Sequence, residues 1–223
     1  MLIVSTELVA AFLLCSWLIN VDFGPNGIFE NAFAAHAGIK IALYVFFMTH
    51  LTITAMSLCF HRAHTHKGVK FNPAVDALMQ VWLWATTSMS KLDWVSVHAY
   101  HHATSDTPND PHSPVQKGLG RVFFLGVADY TRAKELPEVL RIRKRLPANA
   151  LERFIANNLF VGPILLSSLL MVAFGPAMGL LLMVLTFLIS PIFAVGGVNA
   201  LAHFFGYRNY KTTDNSRNLG FLF

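Results

Sequence analysis

The fold is decided by FIANNLFVGPILLSSLLMVAFGPAMGLLLMVLTFLISPIFAVGGVNALA, residues 154–202, a stretch of 49 residues without Asp, Glu, Lys or Arg. A helix needs about 20 apolar residues to cross a bilayer, so this stretch has room for two spans and a turn. Gly175 and Pro176, near its middle, favour a break. We therefore predict a helical hairpin with spans at about 155–174 and 177–200.

The rest of the composition is also typical of a membrane protein. Of the 223 residues, 54% are hydrophobic and 13% are charged, whereas a soluble domain carries about 25% charged residues. Two more apolar stretches lie at about 2–20 and 39–60, and the first lacks the basic segment and cleavage pattern of a signal peptide. We predict an all-α integral membrane protein, one domain over residues 1–223, with four transmembrane helices in two hairpins.

The positive charges indicate how the chain is oriented. Of the 17 Lys and Arg residues, 13 lie between Arg62 and Arg153, whereas the loop at 21–38 has none. The positive-inside rule therefore places the insert at 61–153, a helical cap, and the C-terminal segment at 203–223 on the cytoplasmic face of a multi-pass protein. We expect a lipid bilayer as a partner and no nucleic acid.

Three histidines share HAYHH, residues 98–102, inside this insert. At about 100° per residue, His98, His101 and His102 cover an arc of about 100° on a helix. Protonated imidazoles would repel each other there, whereas neutral imidazoles that point to a common centre suit a borderline metal ion. We therefore interpret the three histidines as metal ligands.

A second histidine group, HRAHTH at residues 61–66, directly follows the second predicted span. Helical spacing places His61 and His64 on one face and His66 about 140° away, unless the helix ends near it. The spacing alone therefore leaves the choice of ligands among these three histidines open.

A third group lies at the cytoplasmic end of the last predicted span, where Asn199 and His203 are spaced i, i+4. All three groups reach the same membrane face, and no cysteine or carboxylate shares their helix faces. A nitrogen-rich site for iron, copper or zinc therefore fits better than structural zinc of the finger type. The sequence has no Walker-type phosphate loop and no GxSxG nucleophile elbow, which argues against nucleotide hydrolases and serine hydrolases.

These motifs resemble those of the membrane-bound fatty acid desaturases, specifically the acyl-CoA desaturase type. HRAHTH matches the first histidine box of that family, HRxxxH. HAYHH and the following DTPNDPH match the second box, HxxHH, and its trailing DTxxDPH, while NALAHFFGYR matches NxxxHxxGYR. The motifs agree in order and spacing, and the resemblance covers about residues 46–217.

The resemblance implies a di-iron oxidoreductase of fatty acid and unsaturated lipid biosynthesis. With molecular oxygen and two supplied electrons, such an enzyme introduces a cis double bond into a long-chain fatty acyl substrate. It implies an acyl-CoA or acyl-lipid substrate and an electron donor such as a cytochrome b5-type or ferredoxin-type protein. On the matching positions, the implied metal ligands are His61, His66, His98, His101, His102 and His203, with Asn199 binding through a water.

The resemblance also implies roles for residues around these ligands. Asp106 and Asp110 would orient ligand imidazoles through the ring nitrogen that does not bind metal, and the alternative is that they only form the turn. His64, where the family often has an aromatic residue, would support the ligands or pack beside them, and His112 would be structural or face the substrate.

The sequence departs from the family pattern at two points. The family has another HxxHH some tens of residues after His203, whereas this sequence stops at Phe223, so we expect the chain as written to be catalytically incomplete. Ala99 stands where many acyl-CoA members have Arg, which leaves an acyl-lipid or another acyl carrier open. The alternatives are an acyl or lipid hydroxylase on the same scaffold, an inactive fragment, and a metal-binding or metal-transporting membrane protein that depends on His50.

Overall fold

The computed structural model describes residues 36–193 and 206–207, and this part of the chain is helical, with no β-strand in it. The predicted all-α class is confirmed for these residues. The first predicted span, at about 2–20, and the pair Asn199 and His203 lie outside them. The helices are α1 (Ala37–Ala55), a π-helix (Met56–Thr65), α2 (Pro73–Thr87), α3 (Lys91–Thr104), α4 (Pro114–Lys117), α5 (Leu119–Ala133), α6 (Pro137–Arg145), α7 (Ala150–Asn157), α8 (Val161–Phe174) and α9 (Pro176–Pro191).

The helix formed by α1 and the π-helix is long and apolar enough to cross a membrane. It runs continuously over 29 residues, and only 17% of its most apolar window is buried. Phe46, Phe47 and Leu51 are exposed, as expected for side chains that face lipid. The helix is longer than the predicted span at 39–60, because the first histidine box continues it as a π-helix.

The predicted span at 155–174 differs in the structure, where α7 and α8 meet at a bend of 80°. Two side chains of the α2 segment bind the carbonyl groups at the bend. Trp84 Nε1 donates to the carbonyl oxygen of Asn158 at 2.8 Å, and Ser88 Oγ donates to that of Leu159 at 3.0 Å. Gly162 follows, and a Cβ there would lie 2.5 Å from the Trp84 ring. These contacts hold the chain in the bend. The helical periodicity of the sequence does not predict it.

The number of spans in the described residues is smaller than the number predicted. One helix is long and apolar enough by itself, and α7 with α8 adds a second if the bent pair is one span. Helix α9 is apolar but shorter. The count of four therefore stays a prediction.

Helices α8 and α9 form a hairpin in which α9 packs against α1 and α8 packs against α2. The turn is at Gly175, whose φ of 82° lies in the region that favours glycine. The helices approach closely at Gly179, where a Cβ would lie 2.4 Å from the backbone nitrogen of Met171. Tyr44 of α1 contacts Thr186 of α9, with their side-chain oxygens 3.1 Å apart.

A second core lies under the cap, where the π-helix packs against α2 and α3, and α3 packs against α6. Trp82 Nε1 of α2 donates to Thr52 Oγ1 of α1 at 3.1 Å, which fixes α2 beside the long helix. This core places the two histidine-bearing helices, the π-helix and α3, side by side. Its buried apolar side chains are Ala55, Met56, Cys59, Phe60, Leu83, Met89, Val97, Tyr130, Ala133 and Val139.

Candidate metal centre

The winding of the π-helix brings His61 and His66 together. In an α-helix the two would point about 140° apart, whereas i→i+5 hydrogen bonds place residue i+5 almost above residue i. The backbone N–H of His66 donates to the carbonyl oxygen of His61 at 3.0 Å, and the two ring centroids are 4.5 Å apart. The local winding of the chain therefore brings His61 and His66 together, and their role as metal ligands stays a prediction.

Helix α3 supplies the facing pair, His98 and His102, which lie one turn apart. Their ring centroids are 4.5 Å apart and their Nε2 atoms are 3.0 Å apart. Across the helix pair, the ring centroids of His61 and His98 are 4.8 Å apart, and those of His66 and His102 are 4.7 Å apart. One nitrogen from each of the four rings lies within 4.8 Å of the others. We call these four side chains the histidine cluster.

In the histidine cluster, His61 and His98 favour the neutral imidazole. Burial lowers the pKa of His98 far below its usual value, and the neighbouring His102 and His61 lower it further. A neutral ring keeps a lone pair for a cation. The sequence reasoning missed Trp94, whose indole stacks on His98 at a centroid distance of 4.4 Å. Its position four residues before His98 in the same helix was the available signal.

His101 lies beside the histidine cluster and is tied to a buried carboxylate. Its Nδ1 is 2.7 Å from Asp110 Oδ1, and its ring centroid is 5.7 Å from that of His98. Burial would raise the pKa of Asp110, but hydrogen bonds from His101 and from the backbone N–H groups of His112 and Asp106 hold it below its usual value. An ionised Asp110 selects the Nδ1–H tautomer of His101, so the lone pair that a metal would use lies on Nε2.

The turn after α3 orders Asp106 and His112 around this carboxylate. Asp106 donates its backbone N–H to Asp110 at 2.9 Å, and its side chain accepts from Ser113 Oγ at 2.7 Å. His112 is buried, and its Nδ1 has no hydrogen-bond partner among the described residues. Its ring centroid is 5.8 Å from that of His101, and burial lowers its pKa to about 4. Asp106 therefore supports the turn, while His112 is a neutral histidine behind His101.

His64 lies apart from the histidine cluster. Its Nε2 is 2.8 Å from Asp76 Oδ1 of α2, although helical spacing placed it on the same face as His61. The π-helical winding turns the two apart. The structure thus brings together four of the predicted ligands and places His101 beside them.

The histidine cluster has the donor chemistry of a site for a borderline metal ion. Its donors are imidazole nitrogens from two packed helices, and no cysteine or carboxylate is among them. Such a set suits iron, copper or zinc rather than magnesium or calcium, which prefer oxygen. The residues present therefore fit an iron centre, to which the predicted Asn199 and His203 would add ligands.

Comparison with known proteins identifies relatives for most of the chain. Residues 39–223 match the family model of the fatty acid desaturases. The chain is 26% identical over 210 residues to Delta-9 acyl-lipid desaturase 2 of Arabidopsis thaliana, an alignment that covers 87% of this chain and 66% of the relative. It is 29% identical over 180 residues to Icosanoyl-CoA 5-desaturase of Limnanthes douglasii, covering 76% of this chain and 48% of the relative.

A third relative matches a shorter segment. Hex-5-enoyl-[acyl-carrier protein] acetylenase of Moorena producens is 32% identical over 77 residues, covering 34% of this chain and 24% of the relative. The chain thus spans about two thirds or less of the length of these three relatives.

Proposed function

We propose that this chain, which belongs to the fatty acid desaturase family of membrane-bound oxidoreductases, takes part in oxygen-dependent desaturation of a long-chain fatty acyl substrate at a di-iron centre. The observation that carries the proposal is the histidine cluster, in which two helices of the cap direct four imidazoles to one point. Desaturation is the activity of the family, while the substrate and the di-iron mechanism are part of our proposal.

The ligands of the proposed centre come first from the histidine cluster. His101 adds a fifth imidazole from α3, and the resemblance adds His203 and, through a water, Asn199. Iron bound to such a set supplies the activation of dioxygen that is needed to remove two hydrogens from an unactivated acyl chain.

The surrounding side chains would hold the ligands in one geometry. Trp94 packs on the His98 ring and restricts its rotation. Asp110 keeps a proton on Nδ1 of His101, so the same nitrogen of that ring always faces the metal. Both contacts support the proposal because a desaturase needs its ligands preorganised.

The proposed substrate and partners follow from the exposed surfaces of the apolar helices and of the cap. Large exposed apolar side chains on α1, α8 and α9 would face the bilayer, where acyl chains are held. Exposed basic side chains on α6, Arg141 among them, would attract an anionic headgroup or an acidic electron donor of the cytochrome b5 or ferredoxin type. The two longer matches are named as an acyl-lipid and an acyl-CoA enzyme, so both carriers are candidates. We place the site on the cytoplasmic face of a multi-pass protein.

The test measures iron and lipid double bonds together. The protein, at the full length that its gene encodes, is expressed in a desaturase-deficient host beside His98→Gln and His50→Gln. His50 is the matched control, because it is exposed on α1 outside the histidine cluster. We expect bound iron and a new double bond with the parent and His50→Gln, and neither with His98→Gln.

Four results would count against this function. Iron binding that ignores His98, or a parent protein that yields no double bond, would contradict it. A hydroxylated acyl product would support the hydroxylase alternative, and metal uptake that depends on His50 would support transport.

A further inference from the structure

The π-helix carries two pairs of ligand-type residues with the same spacing. His61 and His66 are separated by five positions, and so are Cys59 and His64. Only π-helical winding brings residues i and i+5 onto one face, as it does for the first pair. An offset of two positions then turns the second pair toward roughly the opposite side of the helix. The local winding therefore creates two faces, each with two ligand-type side chains.

Asp76 of α2 meets the second pair. Its Oδ1 lies 2.8 Å from His64 Nε2 and accepts a hydrogen bond from Cys59 Sγ at 3.5 Å. Sulfur, nitrogen and oxygen donor atoms of the three residues lie within 4.8 Å of one another. Gln80 Nε2 donates to the other oxygen, Oδ2, at 2.7 Å. The hydrogen bond from Gln80 holds the carboxylate so that Oδ1 faces Cys59 and His64. Supporting hydrogen bonds orient metal-binding carboxylates in the same way.

We infer that Cys59, His64 and Asp76 form a second metal site that binds a divalent cation of the zinc type. Cysteine, histidine and carboxylate are the ligands of protein zinc, and three protein ligands leave the fourth position of a tetrahedral site open. The thiolate distinguishes this site from the histidine cluster, whose donors are all nitrogen.

Binding at this site is an exchange of protons for a metal ion. The cation takes the place of the thiol proton of Cys59, which is released to solvent, and His64 binds through Nε2 with its proton on Nδ1. No oxidation state changes. Cys59 is fully buried, but His64 and Asp76 are 25% and 20% exposed. A cation could therefore reach the site from the side of His64 and Asp76.

A cation in this position would join the π-helix to α2. Since the same winding orients His61 and His66, the second site would stabilise the helix geometry that the histidine cluster requires. The inference does not depend on desaturation, because it rests on the winding of the π-helix and on the contacts among Cys59, His64 and Asp76.

The test is a Co²⁺ titration of the full chain in detergent, followed by absorption spectroscopy. Thiolate-bound cobalt gives a near-ultraviolet charge-transfer band that imidazole-bound cobalt lacks. We expect the parent to show the band, and Cys59→Ser to lose it together with about one bound ion per chain. Cys15→Ser, which alters the other cysteine of the chain, is the matched control and keeps the band.

Further variants separate this site from the histidine cluster and from misfolding. Asp76→Asn retains the thiol and is expected to reduce Zn²⁺ affinity at least tenfold, with an unchanged circular dichroism spectrum. His98→Gln is expected to keep the band even if it abolishes iron binding. The inference is overturned if the folded parent shows no band, or if the band survives in folded Cys59→Ser.

Discussion

The apolar helices and the cap differ in the side chains that they expose and bury. Helices α1, α8 and α9 expose many large side chains, such as Leu169 at 67%, and several of the side chains that they bury are small or carry a hydroxyl, such as Thr52 and Ser167. The cap buries charged and polar side chains, among them Lys91 and Asp110. The apolar helices thus have the composition of transmembrane packing, where close approach of small residues matters more than apolar burial. The cap depends on paired polar groups around the histidine cluster.

The largest effect is expected from a buried ion pair of the cap. Lys91, at the start of α3, pairs with Glu152 of α7, and the two are 8% and 5% exposed. We expect Lys91→Met to lower the free energy of unfolding by about 3–5 kcal/mol, because an unpaired carboxylate stays buried. The control is Arg141→Ala, which breaks an exposed pair with Glu138 and should cost less than about 1 kcal/mol. Equal shifts in Tm for Lys91→Met and Arg141→Ala would contradict the expected difference between the buried and the exposed ion pair.

A somewhat smaller effect is expected from His112 as the pH falls. Its pKa is about 4 in the fold, against about 6.5 for an ordinary histidine, because burial disfavours the charged ring. The unfolded chain therefore takes up the proton first. Stability is complete above pH 6.5 and declines by about 3 kcal/mol as the pH falls to 4. His112→Asn should flatten this part of a plot of Tm against pH, measured in chelator-treated protein. If the slope of Tm against pH is unchanged in His112→Asn, the loss of stability at low pH is not due to His112.

The apolar helices should be sensitive where their backbones approach each other. Gly179→Ala places a methyl group against the backbone of Met171, and we expect a loss of about 1–3 kcal/mol. Gly38→Ala, near the start of α1, meets nothing within 4 Å and is the matched control. Thermal unfolding in lipid nanodiscs measures both. Equal tolerance of the two changes would show that α8 and α9 are not closely packed.

The smallest effect is expected on the exposed side of the same hairpin. Leu169→Ala removes a side chain that would face lipid and should change stability by less than about 0.5 kcal/mol in nanodiscs. Leu182→Ala, in the interior between the helices, should cost about 2–5 kcal/mol. If Leu169→Ala is the more damaging, that face is covered by protein instead of lipid.

The features that could be predicted from sequence depend on local periodicity. The length of the uncharged stretch at 154–202 predicted apolar helices, and Gly175 and Pro176 indicated where the hairpin turns. The period of an α-helix placed His98, His101 and His102 together. Asp110 was expected to orient an imidazole, and it does hydrogen-bond His101. Its role at a metal stays a prediction.

The features that could not be predicted depend on contacts between distant segments or on unusual winding. A rotation of 100° per residue would separate His61 from His66, whereas a π-helix brings them together. Their proximity could therefore not be predicted from α-helical spacing. The bend between α7 and α8 follows from Trp84 and Ser88, which lie some 70 positions earlier in the chain. The bond between His64 and Asp76 likewise joins two helices, and no pattern within either helix indicates it.

The most direct test of the central claim is X-ray absorption at the iron edge of the full-length, iron-loaded protein. The account predicts nitrogen and oxygen ligands with strong imidazole scattering and no sulfur, and a weaker imidazole signal in His66→Gln. Sulfur bound to the iron, or a spectrum that the loss of His66 leaves unchanged, would contradict a centre held between the π-helix and α3.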